Sequence, residues 1–157
     1  MINRWNGWLH RPYSVLEHSV IGARAMLVFN HDARSVLSFL LHDFEESEFG
    51  DWPAPAKALH TTDDYRADVA EFNLYLARSV GLEPHDFESP AVKQVDHAMA
   101  WAESHSVALL GDPAHFKITY PTNSLPGHCL QMIVRNETSN LKETFWEIFN
   151  ACRTNLA

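Results

Sequence analysis

The feature that most constrains this chain is the spacing of its apolar residues. They recur three and four positions apart, in blocks that Gly or Pro closes, and nowhere do they alternate with polar residues long enough to demand a sheet. Ser14 and Glu17 form an S-x-x-E capping box that opens a segment with Val15, Ile21, Ala25 and Val28 at near-helical spacing, which puts His18 in the first turns of a helix. A second helix is predicted from Ala33 to Glu48. There Val36, Leu37, Leu40, Leu41 and Phe44 make a wide apolar face, and Gly50, Pro53 and Pro55 stop it, so that His42 and Asp43 lie near its C-terminal end. A third helix is predicted from Asp63 to Val80, with Val69, Phe72, Leu76 and Val80 on one side and Gly81 as its stop. A fourth begins at Ser89-Pro90 and carries Val92, Val95, Met99 and Ala102, with Asp96 among them.

Between Gly111 and Gly127, three prolines and two glycines break every periodicity, and Phe116 to Tyr120 has the composition of a short strand. A last helix with Leu141, Phe145, Ile148 and Cys152 closes the chain. The expectation is an all-α fold: one domain over residues 1–157, a compact helical bundle with a Pro/Gly-rich loop before the C-terminal helix. A length of 157 residues with 46% hydrophobic and 20% charged residues suits one such core.

Composition then narrows the function classes. The longest apolar stretch, Val36 to Leu41, is interrupted by Ser38 and far shorter than a membrane span, and the N-terminus lacks a basic-then-apolar signal segment, so a cytoplasmic protein with no membrane partner is expected. Cys129 and Cys152 are too few and too far apart for a disulfide scaffold or a C-x-x-C site and read as core thiols. A net charge of −8 argues against a nucleic-acid polymer as partner, while leaving room for a small anionic ligand where cations gather locally. Ten histidines supply metal ligands or proton carriers, and their number alone does not choose between the two.

The chemistry-bearing candidates start from His42-Asp43. An imidazole nitrogen and a carboxylate oxygen on consecutive residues suit a borderline or hard divalent cation. The dipeptide alone is not diagnostic, because the chain repeats it at His31-Asp32, where Asn30 before it and Ala33-Arg34 after it read as a helix cap and turn. The second pair differs in context. It ends the most apolar helix, and Glu46 follows Asp43 by one turn, placed to take a proton from a water on the metal.

Five separated motifs then carry a resemblance. Arg4-Trp5, Arg11-Pro12-Tyr13-Ser14-Val15-Leu16-Glu17-His18-Ser19, Leu41-His42-Asp43-Phe44-Glu45-Glu46, Gly50-Asp51-Trp52-Pro53-Ala54-Pro55-Ala56-Lys57 and Lys93-Gln94-Val95-Asp96 occur in one order over residues 3–103. Together they resemble the HD-superfamily deoxynucleotide phosphohydrolases, both the bacterial 5'-deoxynucleotidases and the virus-encoded dATP triphosphohydrolases, with the latter matching better at Lys57 and at Lys93 and Asp96. The resemblance implies a metal held by His18, His42, Asp43 and Asp96, with Glu46 as acid/base residue. Two nitrogens and two carboxylate oxygens leave open positions and suit one Mn²⁺, Co²⁺, Fe²⁺ or Zn²⁺, to which substrate phosphates can add Mg²⁺.

By the same resemblance Arg4 and Trp5 stand at the substrate pocket, a guanidinium fork for phosphate and an indole face for a base. Lys57 and Lys93 would hold phosphates, and Asp51 would orient a substrate hydroxyl or cap the following turn. The implied reaction is attack of water on the α-phosphorus of a dNTP, best dATP, giving deoxynucleoside and tripolyphosphate. The alternatives are a 5'-deoxynucleotidase releasing phosphate from a dNMP, and a non-catalytic nucleotide-binding module on the same scaffold. Because few residues precede Arg4, the base pocket is expected to be completed by a neighbouring subunit of a homo-oligomer. After Glu103 the resemblance fades. Ser47 following Glu46 breaks the His-Asp-x-x-Glu-Asp pattern of the signalling-nucleotide pyrophosphohydrolases, which counts against that activity.

Overall fold

A computed structural model of the chain describes residues 2–4, 11–52, 59, 61–106, 124–135 and 139–156. The fold is all-α. Helix α1 spans Val15–Val28, α2 Ala33–Leu41, α3 Glu46–Phe49, α4 Asp63–Ser79, α5 Pro90–Ser106, α6 Gly127–Arg135 and α7 Leu141–Thr154, with a 3-10 turn at Pro84–Glu88. Among the described residues there is no strand, only an isolated bridge between Asn3 and Ser14. Most of the Pro/Gly-rich stretch, residues 111–123, and with it the short strand expected at Phe116 to Tyr120, lies outside the described residues.

Helix α1 sits at the centre and packs against α2, α5, α6 and α7. Its sequence explains the position: Val20, Ile21, Ala23, Ala25 and Met26 are all buried, so the helix is apolar around most of its circumference and must be covered on several sides. The predicted capping box is present, with Ser14 accepting from the Glu17 backbone and the Glu17 carboxylate accepting from the Ser14 backbone. Gly22 sets how near α2 comes. A Cβ built there would meet the Phe39 ring at 2.0 Å, so only glycine admits this ring against α1.

One boundary and one helix differ from expectation. The second helix ends at Leu41 and not at Glu48. From His42 onward the bonds become i→i−3, with His42 N to Phe39 O, Phe44 N to Leu41 O and Glu46 N to Asp43 O at 3.4, 3.0 and 3.1 Å, and the His42 Nδ1–H also donates to the Phe39 carbonyl at 2.7 Å. Such tight winding aligns residues three apart, which brings Glu46 over Asp43. The third helix runs as expected, Asp63–Ser79 with Val80 as its C-cap. Helix α6, nine residues long, was not anticipated; it follows Pro126 and opens on Gly127, so it reads as the tail of a loop, yet Cys129, Met132 and Ile133 bury one face. Both cysteines are buried, as a core role requires.

Candidate metal centre

Three helices and the N-terminal segment converge on one cluster. His18 lies one turn below Gly22 on α1, His42 lies one turn beyond Phe39, and the Phe39 ring backs both imidazoles, with ring centroids 5.5 Å from His18 and 4.6 Å from His42. The glycine that admits Phe39 therefore also sets the separation of the two histidines, whose ring centroids are 5.3 Å apart. Asp96 enters from α5.

The contacts at the imidazole tips are close. His18 Nε2 lies 3.3 Å from Asp96 Oδ1 and 3.6 Å from Asp43 Oδ2, and His42 Nε2 lies 3.2 Å from Asp43 Oδ1 and 3.8 Å from Asp96 Oδ1. Both Nδ1 atoms have fixed partners, His18 with Glu103 at 2.7 Å and His42 with the Phe39 carbonyl. Both Nε2 atoms are buried and make no hydrogen bond of acceptable geometry, even to the carboxylates beside them. Each faces a carboxylate at ion-pair distance without hydrogen-bond geometry, an arrangement that a cation shared between them would satisfy. A nitrogen or oxygen from each of His18, His42 and Asp96 lies within 4.8 Å of the others, a spacing that fits one cation. Asp43, the fourth expected ligand, borders this set and also accepts a hydrogen bond from Arg4 Nη1 at Oδ2.

Charge favours a cation as well. Four carboxylates, Asp43, Glu46, Asp96 and Glu103, gather here around Arg4, which pairs with Asp43 and lies 3.9 Å from Glu46 and 3.4 Å from Glu103, and the same acids bias both imidazoles toward their protonated form. Burial and the charge of Arg4 push His18 down, but Glu103 and Asp96 outweigh them and hold its pKa at about 9. A divalent cation would take the place of the Nε2 proton. Asp96 is 41% exposed and so forms the open side of the cluster; partial burial raises its carboxyl, but the contacts and charge of His18 and His42 dominate and hold it well below the usual range.

Arg4 is fixed by backbone pairing, its N–H donating to the Tyr13 carbonyl at 2.8 Å while Val15 N–H donates to Ile2 at 3.1 Å. Glu46 is buried at the start of α3, facing Arg4. Asp51 is half-buried just past α3, where Gly50 at φ 85° turns the chain. Lys93 is not brought into the cluster: its ammonium is exposed and paired with Glu88 at 2.8 Å. Trp5 and Lys57 lie outside the described residues.

Sequence reading missed Glu103, the most buried of the acids. The signal was available, since Glu103 stands seven residues after Asp96 on α5 and shares its face, an acid within the apolar stripe of Val92, Val95, Met99 and Ala102. No known protein-family model and no curated protein matches the chain.

Proposed function

We propose that the chain is a metal-dependent phosphohydrolase of the HD type acting on a small deoxynucleotide. The observation that carries this reading is the pair of buried imidazoles with engaged Nδ1 atoms and orphaned Nε2 atoms, set against Asp43 and Asp96. Structural zinc sites are closed by four tightly spaced ligands; a cluster with an exposed carboxylate on one side leaves room for substrate. A divalent cation held there by His18, His42, Asp96 and Asp43 would supply Lewis acidity toward a phosphoryl oxygen and acidify a water.

The chain's own residues would do the rest. Glu46, aligned over Asp43, accepts the proton as water oxygen bonds to the α-phosphorus and the bond from phosphorus to the 5' oxygen breaks. Arg4 faces the growing negative charge on the phosphoryl oxygens. The proton then passes to the leaving deoxynucleoside. Asp51 would orient a sugar hydroxyl and Trp5 would face the base, and a homo-oligomer that completes the base pocket belongs to the same proposal.

The triphosphate form of the reaction calls on Lys57 and Lys93 for the outer phosphates, and dATP rests on the resemblance alone. The pairing of Lys93 with Glu88 favours a second reading, the 5'-deoxynucleotidase, since Arg4 and one cation suffice for a single phosphate. The test is a panel of deoxy- and ribonucleotides, each as mono- and triphosphate, incubated with Mn²⁺ or Co²⁺ and with products resolved. Tripolyphosphate from dNTPs supports the first form and phosphate from dNMPs the second. No turnover of any nucleotide, by protein shown to hold metal, contradicts both.

A further inference from the structure

We infer that Glu103 is a positioning residue that holds His18 and Arg4 in register with the cation site, an inference that rests on the metal-dependent reading above. Glu103 is wholly buried in the apolar stripe of α5, where a carboxylate is tolerated only if its charge is matched. Its two oxygens face two basic groups, and the Tyr13 hydroxyl bears on the same carboxylate. Oε1 faces His18 Nδ1 at 2.7 Å and Oε2 faces Arg4 Nε at 3.4 Å.

The first contact decides which imidazole atom can serve a cation. A carboxylate at Nδ1 keeps the proton there, so Nε2 is the ligating atom and points at Asp96 and Asp43. It also makes the imidazole a stronger donor than a neutral acceptor would, because the partner is charged. His42 shows the contrast: its Nδ1 is held by a backbone carbonyl, so no side-chain substitution at the acceptor can release it. The second contact is an ion pair without hydrogen-bond geometry, and it holds the guanidinium by charge beside Glu103. With Nε turned to Glu103, Nη1 reaches Asp43 Oδ2 and leaves Oδ1 facing His42 Nε2. One buried carboxylate thereby aligns a metal ligand from α1, a substrate-facing arginine and, through that arginine, a second ligand.

The experiment compares wild type with Glu103→Gln and Glu103→Ala. Each protein, stripped of metal, is checked for helicity and melting temperature, then titrated with Co²⁺ alone by calorimetry and visible absorption. Glutamine keeps size and an oxygen acceptor and so guards against misfolding. Glu103→Gln is expected to bind Co²⁺ about 10-fold more weakly and Glu103→Ala about 100-fold more weakly, with an altered absorption band in both. In the stripped proteins the hydrogen-bonded Nδ1–H of His18 is expected as a downfield proton resonance in wild type, lost in Glu103→Ala. If wild type binds Co²⁺ and both variants bind it as tightly with the same spectrum, the positioning role is overturned while the metal site stands. If folded wild type binds no Co²⁺, the functional reading falls and this inference with it.

Discussion

The dipeptide His-Asp brackets α2, once before its first residue and once after its last, and the two copies do opposite things. Asp32 is the N-cap: its carboxylate accepts from the Ser35 backbone at 2.7 Å, and that bond holds its pKa below the ordinary carboxylate value. His31 beside it is partly exposed and meets only the edge of Phe29 among ring contacts of the described residues. At the other end, His42 and Asp43 turn into the cluster with His18, Asp96 and Arg4. The same two residue types thus serve the backbone in one place and each other in the next. The difference lies in the neighbours: the first pair precedes a helix whose free N–H groups need an acceptor, while the second follows the Phe39 that packs against Gly22 and both imidazoles.

The sharpest way to break this contrast is to delete each histidine in turn. His42→Ala is expected to abolish nucleotide hydrolysis while leaving a helical protein, and His31→Ala to retain close to wild-type turnover. The reverse pattern, read in a single product assay, would mean that the functional pair has been misidentified. A somewhat smaller effect is expected from Glu46→Gln, which keeps size but removes the proton acceptor: turnover should fall by roughly 10²–10⁴ with nucleotide binding kept. A near-normal rate would leave Glu46 a structural residue under Arg4.

Next comes the packing that separates the two pairs. Gly22→Ala puts a methyl group into the Phe39 ring, an overpacking expected to cost about 1–3 kcal/mol in denaturant unfolding. Since the same ring backs His18 and His42, Co²⁺ binding should weaken as well; an unchanged affinity in a destabilised protein would show that Phe39 supports the fold alone. The smallest effect belongs to the cap. Asp32→Ala is expected to lose about 1 kcal/mol with activity retained. Because the folded pKa of Asp32 is depressed, its contribution is complete above the unfolded value of about 3.9 and is lost as pH falls through the lower folded value. The stability gap between wild type and Asp32→Ala should therefore close on acidification below about pH 4 and stay constant above it.

Much of the fold was legible because helix periodicity and caps are local properties. The Ser14 capping box, the helix Asp63–Ser79 and the start at Pro90 all follow from residues a few positions apart. The end of α2 was not, since the winding that breaks the helix after Leu41 depends on a hydrogen bond from the His42 ring and on where α1 holds Phe39. The cluster shows the same division. Motifs singled out His18, His42, Asp43, Asp96 and Arg4, which the fold brings together, whereas Glu103 belongs to no motif and its only signal was an acid within the apolar stripe of α5. Lys93 was the opposite case: a residue near a motif that the helix turns toward Glu88 and solvent.

The central claim is that the second His-Asp pair, and not the first, belongs to a cation site, and metal stoichiometry tests it without reference to any substrate. Wild type, His31→Ala and His42→Ala, stripped by chelator and confirmed helical, are each titrated with Co²⁺ by calorimetry. One Co²⁺ per chain is expected for wild type and His31→Ala and none of comparable affinity for His42→Ala. Equal binding by all three, or loss of binding in His31→Ala alone, would contradict the account.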